Sequence, residues 1–177
     1  MTIILICGLG NPGEQYLKNR HNIGFLAIEY IAEQFNVMFS ESTKFSGWVA
    51  SKKMGDTTYI FCKPKTYMNL SGQSVGALKR FYNIDNDNIW VIHDDIDLEF
   101  GDIRVKRGGG HAGHNGLKSL DAHIGKDYHR IRMGVGRPPH KDDVSHYVLS
   151  DFAKSEDYHA MIVAAWTQLK ALIFLPS

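Results

Sequence analysis

Short apolar runs separated by polar, glycine-bearing turns mark the first two-thirds of the chain. Residues 3–7 (IILIC), 57–62 (TTYIFC) and 88–92 (NIWVI) are brief and rich in β-branched and aromatic side chains, which predicts strands. Further strands are expected at 46–53 and 102–106, and HRIRMGVG at 129–136 alternates polar and apolar positions as a half-buried strand does. The period changes to that of a helix over 22–36, where Phe25, Ile28, Ala32 and Phe35 share a face, and over 71–83, where Val75, Leu78 and Tyr82 do. A third helix is expected after Asn115, and residues 151–175 read as one long amphipathic helix. Strands alternating with helices predict an α/β fold. We expect a single domain over 1–177, with a mixed, mostly parallel twisted sheet flanked by helices. Sites in such sheets form from loops at the carboxyl ends of strands, which directs attention to the loops after 3–7 and 88–92.

Composition changes this picture little. A chain of 177 residues with 44% hydrophobic side chains can bury a core without staples. Cys7 and Cys62, the two cysteines, each lie inside an apolar run, which predicts buried thiols in a reducing compartment rather than a disulfide or a metal pair. Residues 2–7 are too short for a signal sequence and no run of 18 apolar residues occurs, so a cytoplasmic protein without membrane attachment is expected. Charge is more informative. Residues 101–141 carry nine Lys/Arg against three acids, a local net of +6 within a chain of net +1. In DIRVK (102–106) and HRIRM (129–133) the basic residues Arg104, Lys106, Arg130 and Arg132 alternate with apolar ones, which would place them on one solvent face of two strands. Such stripes suit a polyanionic partner.

Three stretches carry candidate chemistry. GLGNPG at 8–13 has dinucleotide-loop spacing, but helical periodicity does not follow it and the acid expected about 20 residues on is missing. The loop reads instead as a mount for Asn11, freed by glycines and stiffened by Pro12. His21, before the first helix, and HDDIDL at 93–98, at a strand end, suggest a histidine whose tautomer is fixed by Asp94 or Asp95. With no G-x-S-x-G elbow and no cysteine in a polar loop, such a base would activate water. GGGHAGHNGL at 108–117 offers His111 and His114, which with His93, Asp94, Asp95 and Asp97 raise a metal reading. Loop placement and H-x-x-H spacing count against it, and no metal or cofactor is expected. Asn11, Asn69 and Asn115 all sit in glycine-bearing loops and suit neutral hydrogen bonding to a peptide-like ligand, with Ser71 a candidate cap for the helix that follows. An enzyme with a water-activating dyad, a non-catalytic RNA-binding module using the basic face and a metal-dependent hydrolase remain open on the residues alone.

The order of these motifs resembles the bacterial-type peptidyl-tRNA hydrolase family. The resemblance rests on residues 8–24 (GLGNPGEQYLKNRHNIG), 63–72 (KPKTYMNLSG), 93–98 (HDDIDL), 108–117 (GGGHAGHNGL) and 130–138 (RIRMGVGRP). Asn19 departs from the family's usual Thr, and the stretch after Asp151 is short. The resemblance implies hydrolysis of the ester between a peptide and the 3′-terminal ribose of tRNA, without cofactor, by a monomer. It implies that His21 activates water, that Asp94 orients it, and that Asn11 stabilises the carbonyl oxygen. Asn69 and Asn115 would hold the peptide main chain and the 3′ end, and Tyr16, Met68 and His114 would line the cleft. Lys106 and Arg132 would clamp the 5′ phosphate of the tRNA.

Overall fold

A computed structural model describes residues 1–174. Seven strands form one sheet: β1 (Thr2–Gly8), β2 (Ser40–Ser42), β3 (Gly47–Met54), β4 (Thr57–Pro64), β5 (Ile89–Asp95), β6 (Ile103–Arg107) and β7 (His129–Gly134). Their spatial order is β2-β3-β4-β1-β5-β7-β6. The four central strands β4, β1, β5 and β7 run parallel, while β2, β3 and β6 are antiparallel additions at the two edges. This is the mixed, mostly parallel sheet expected from the alternation of strands and helices.

Both faces of the sheet are covered, which is why the central strands read as unbroken apolar runs. One face packs α1 (Ile23–Gln34) and α5 (Tyr158–Leu169), with Ile6, Ile28, Phe61, Ile131 and Leu169 in the shared core. The opposite face packs α2 (Ser71–Tyr82) and α3 (Asn115–Ile124) against Leu5, Cys7, Cys62 and Val91. Cys7 and Cys62 are neighbours across β1 and β4, both buried and both free thiols. A short α4 (Val144–Val148) precedes the last segment.

The chain after β1 leads to α1 on one face and the chain after β4 leads to α2 on the other, so loops diverge at the carboxyl ends of the neighbouring strands β1 and β4. Two glycines make the junction tight. A Cβ on Gly24 would lie 2.4 Å from the Ile92 carbonyl oxygen, and one on Gly8 would lie 2.1 Å from the Gly24 carbonyl oxygen. Without side chains there, the start of α1 presses onto the ends of β1 and β5 and brings His21 over Asp94. Gly8, and Gly10 against the Phe25 ring, therefore serve packing, whereas Gly13, at φ 118°, serves the turn.

Five expectations need correction. The 151–175 stretch is not one helix: Asp151 bridges to Asn19, the Phe152 amide donates to the Lys18 carbonyl, and the helix begins only at Tyr158. Asp157 caps it, Oδ1 accepting from the Ala160 amide at 3.0 Å, and a π turn over Lys170–Phe174 ends it, while residue 175 lies outside the described residues. Ser71 is not a cap. It is the first residue of α2, and its hydroxyl donates to the Met68 carbonyl at 2.8 Å. Arg130 does not face solvent: it is 2% exposed and points into the α3 side of the sheet. The strand expected over 129–136 stops at Gly134, and β5 continues three residues past 92, so His93, Asp94 and Asp95 belong to the strand itself.

Candidate active site

His21 lies in a 3-10 turn directly before α1, and Asp94 is the penultimate residue of β5. His21 Nδ1 is 2.9 Å from Asp94 Oδ1 and 2.8 Å from Oδ2, with both side chains buried. Asp94 also meets His114, whose Nε2 lies 2.8 Å from Oδ1. Burial alone would raise the Asp94 pKa, but the two histidines outweigh it and hold the carboxyl well below the usual carboxylate range. Burial acts against a charged His21, and the Asp94 charge and hydrogen bond overcome this to raise its pKa above the ordinary histidine value. An ionised carboxylate only accepts, so His21 carries its proton on Nδ1. Its Nε2 is left as an acceptor with no partner among the described residues.

His114 is fixed by a second set of bonds. It is the N-cap of α3, and its Nδ1 accepts from the Gly116 and Leu117 amides at 3.1 and 3.3 Å. Nδ1 is therefore unprotonated, and Nε2–H donates to Asp94. The same reasoning bears on metal binding. Donor atoms of His21, Asp94 and His114 lie within 4.8 Å of one another. Coordination through His114 Nε2 would move its proton to Nδ1, against two backbone N–H donors, so the trio does not fit a metal without undoing the α3 cap. His111, the other candidate ligand, instead accepts from the Gly113 amide through Nδ1 at 3.0 Å.

Asn11 is held by Asn22, which the sequence did not single out, and by the Met68 backbone. Its amide donates to Asn22 Oδ1 and its carbonyl accepts from Asn22 Nδ2, each at 2.9 Å. Asn11 Oδ1 accepts from the Met68 amide at 2.7 Å. With its oxygen engaged and its rotamer fixed, Asn11 has Nδ2 as its uncommitted group among the described residues, a donor in a set position.

Two cavities meet at His21. The smaller, about 220 Å³, is lined by Asn11, Tyr67, Met68, Asn69 and Asn115. The larger, about 580 Å³, is lined by Asp94, His114, Asn115, Lys106 and Arg132 among others. His21, Asn115, Ser145 and Val148 border both. Four cations line the larger cavity. Arg130 pairs with Asp121 at 3.3 Å, Arg132 with Asp95 at 2.8 Å and Arg137 with Asp97. Lys106 alone has no carboxylate partner among the described residues. Arg130 acts internally, its guanidinium donating to the Gly110 and Gly109 carbonyls at 2.8 and 3.0 Å and so bracing the glycine loop.

The structure thus gathers nine of the ten expected site residues around two joined cavities. The tenth, Tyr16, is half-buried in a 3-10 turn and lines neither. Asn22, Tyr67 and Ser145 are additions. Asn22 had a signal in its neighbour His21, whereas Ser145 comes from a distant helix that no local pattern ties to the site.

A buried histidine–carboxylate pair at the carboxyl edge of this α/β sheet opens onto a cationic cavity, and its sequence relatives place the chain among the hydrolases. A family model described as peptidyl-tRNA hydrolase matches residues 5–174, and the chain belongs to that family. A peptidyl-tRNA hydrolase of Rickettsia bellii is 56% identical over 154 residues, covering 87% of this chain and 83% of that protein. One of Dinoroseobacter shibae is 54% identical over 163 residues, covering 92% of this chain and 66% of that protein. The crystal structure of peptidyl-tRNA hydrolase from Acinetobacter baumannii superposes with a TM-score of 0.92 at 40% identity, over 97% of this chain and 88% of that one. No helix among the described residues is long and apolar enough to cross a membrane.

Proposed function

We propose that the chain, acting as a monomer, hydrolyses the ester joining a peptide to the 3′-terminal ribose of tRNA, with His21 as general base. One observation carries the reading: His21 Nε2 is an unprotonated acceptor at the junction of a small amide-lined cavity and a larger cationic one. The small cavity suits a peptide main chain, which Asn69 and Asn115 can bond through neutral amides. The cationic cavity suits the nucleotide end, where Lys106 and Arg132 meet phosphate.

In this reading His21 Nε2 takes a proton from water as the hydroxide attacks the ester carbonyl, and Asp94 stabilises the imidazolium. Asn11 Nδ2 donates to the carbonyl oxygen as it becomes an oxyanion. The proton then passes from His21 to the departing ribose oxygen. A free aminoacyl ester would bring an ammonium where the site offers neutral amide partners, which disfavours it by uncompensated desolvation.

The test is release of an N-blocked amino acid from charged tRNA in the presence of EDTA. His21→Ala is expected to lose turnover while keeping its fold. Ser145→Ala is expected to stay within about twofold of the parent, because no hydrogen bond links Ser145 to His21 among the described residues and water is the nucleophile. Wild-type turnover in His21→Ala sinks the base assignment; loss of turnover in Ser145→Ala sinks the water mechanism.

A further inference from the structure

Arg132 sits on β7 in register with His93 of β5, and its side chain, 24% exposed, lines the cationic cavity. Only its Nε is bonded to protein, donating to Asp95 Oδ2 at 2.8 Å; Nη1 and Nη2 have no partner among the described residues. The other oxygen of that carboxylate is also engaged, Oδ1 accepting from the Asp97 amide at 2.8 Å. The Asp95 carbonyl accepts from the Val135 amide at 3.0 Å. Asp95 is therefore fixed by the strand on one side and by the following turn on the other, with its side chain 12% exposed.

A guanidinium gripped at Nε leaves its outer edge, made by one N–H of each Nη, clear of the gripping carboxylate. That edge is the one that matches two oxygens of a phosphate. We infer that Asp95 is a positioning residue for phosphate recognition, holding Arg132 side-on so that its Nη edge faces a phosphate of the RNA. This rests on the reading of Arg132 as a phosphate ligand.

The arrangement ties recognition to chemistry. Asp94 and Asp95 are consecutive on β5, one orienting the base and the other the phosphate handle, with no flexible segment between. The negative charge of Asp95 near an anion site opposes binding. Against that, it orders in advance a long side chain that would otherwise lose its rotamer freedom when the RNA arrives. Lys106 makes the contrast: it has no carboxylate partner and lies across Gly109, so it supplies charge without a set direction.

The experiment measures Kd for an acceptor-stem RNA hairpin made with and without a 5′ phosphate, and reads the ratio of the two. Asp95→Ser retains an acceptor for the Asp97 amide but cannot reach Arg132. It is expected to reduce the preference for the phosphorylated hairpin about fivefold. Asp95→Asn, whose single acceptor oxygen cannot serve both partners, is expected to fall between Asp95→Ser and wild type. Arg132→Ala is expected to bring the ratio near one, and the double variant to lie no lower. A general loss of fold raises both Kd values together and leaves the ratio alone. An unchanged or increased ratio in Asp95→Ser, with the ratio collapsed in Arg132→Ala, overturns the Asp95 assignment by itself. A wild-type ratio in Arg132→Ala overturns the phosphate reading of Arg132, and the Asp95 assignment falls with it.

Discussion

Asp94 receives His21 Nδ1 between its two carboxylate oxygens, at 2.9 and 2.8 Å, and fixes both the charge and the tautomer of that ring. Asp94→Asn keeps the shape and removes the charge, and the new amide can turn its own N–H toward Nδ1. We expect kcat/KM to fall between about 10²- and 10⁴-fold. The pH profile gives the sign. Below its pKa His21 holds a second proton and cannot act as a base. Because Asp94 raises that pKa, the wild-type acid limb of kcat/KM should inflect above about 6.5. In Asp94→Asn the limb of the residual activity moves to lower pH. A limb that stays in place means Asp94 does not set it.

His114 has two tasks that one substitution can separate. Asparagine is a good N-cap, so His114→Asn keeps the start of α3 but is too short to donate to Asp94. We expect a near wild-type thermal midpoint and a loss in kcat of about tenfold. Without the His114 donor, more of the Asp94 charge bears on His21, so the acid limb moves to higher pH, opposite to Asp94→Asn. A lowered midpoint with an unmoved limb assigns His114 to capping alone.

Much of this site was legible before any coordinates, for reasons that differ by residue. A histidine ahead of a helix is more often a cap or surface residue, and His21 stood out only because HDDIDL puts carboxylates at the end of a second central strand. Whether Asp94 or Asp95 served the base could not be settled by spacing. Alternation along β5 puts them on opposite faces, and only the packing of α1 on the face that Asp94 shares with Ile92 shows which one meets His21. Arg130 was misread because period-2 alternation places residues on a face without saying what covers that face. Here α3 and the glycine loop do. The long C-terminal helix was misread because nothing local in residues 151–157 shows that Asp151 and Phe152 pair with residues 19 and 18, over 130 positions away.

Gly24 carries a stability prediction. A methyl group there would meet the Ile92 carbonyl of β5 at 2.4 Å and the amide of Leu9, the residue after β1, at 2.5 Å, backbone atoms that cannot yield locally. Gly24→Ala must therefore lift α1 from the sheet. We expect a loss of about 3 kcal/mol in denaturant unfolding. Because α1 carries the His21 turn, activity should fall further than the unfolded fraction accounts for. Wild-type stability would show that α1 can slide along the sheet.

Lys106 and Arg132 should differ in how salt affects their loss. Arg132 already faces Asp95, so part of its charge is answered before RNA arrives. Lys106 has no such carboxylate among the described residues, and in the proposed complex its contact with phosphate would release a counterion outright. For Lys106→Ala we expect weaker binding of tRNA at low salt and a log Kd against log salt slope less steep by about one. The wild-type and variant affinities then converge as salt rises. Arg132→Ala should keep a larger share of its deficit at high salt, because its loss includes oriented hydrogen bonds as well as charge. An unchanged slope with a raised Kd in Lys106→Ala would place its effect in the glycine loop, where its side chain crosses Gly109, rather than on the RNA.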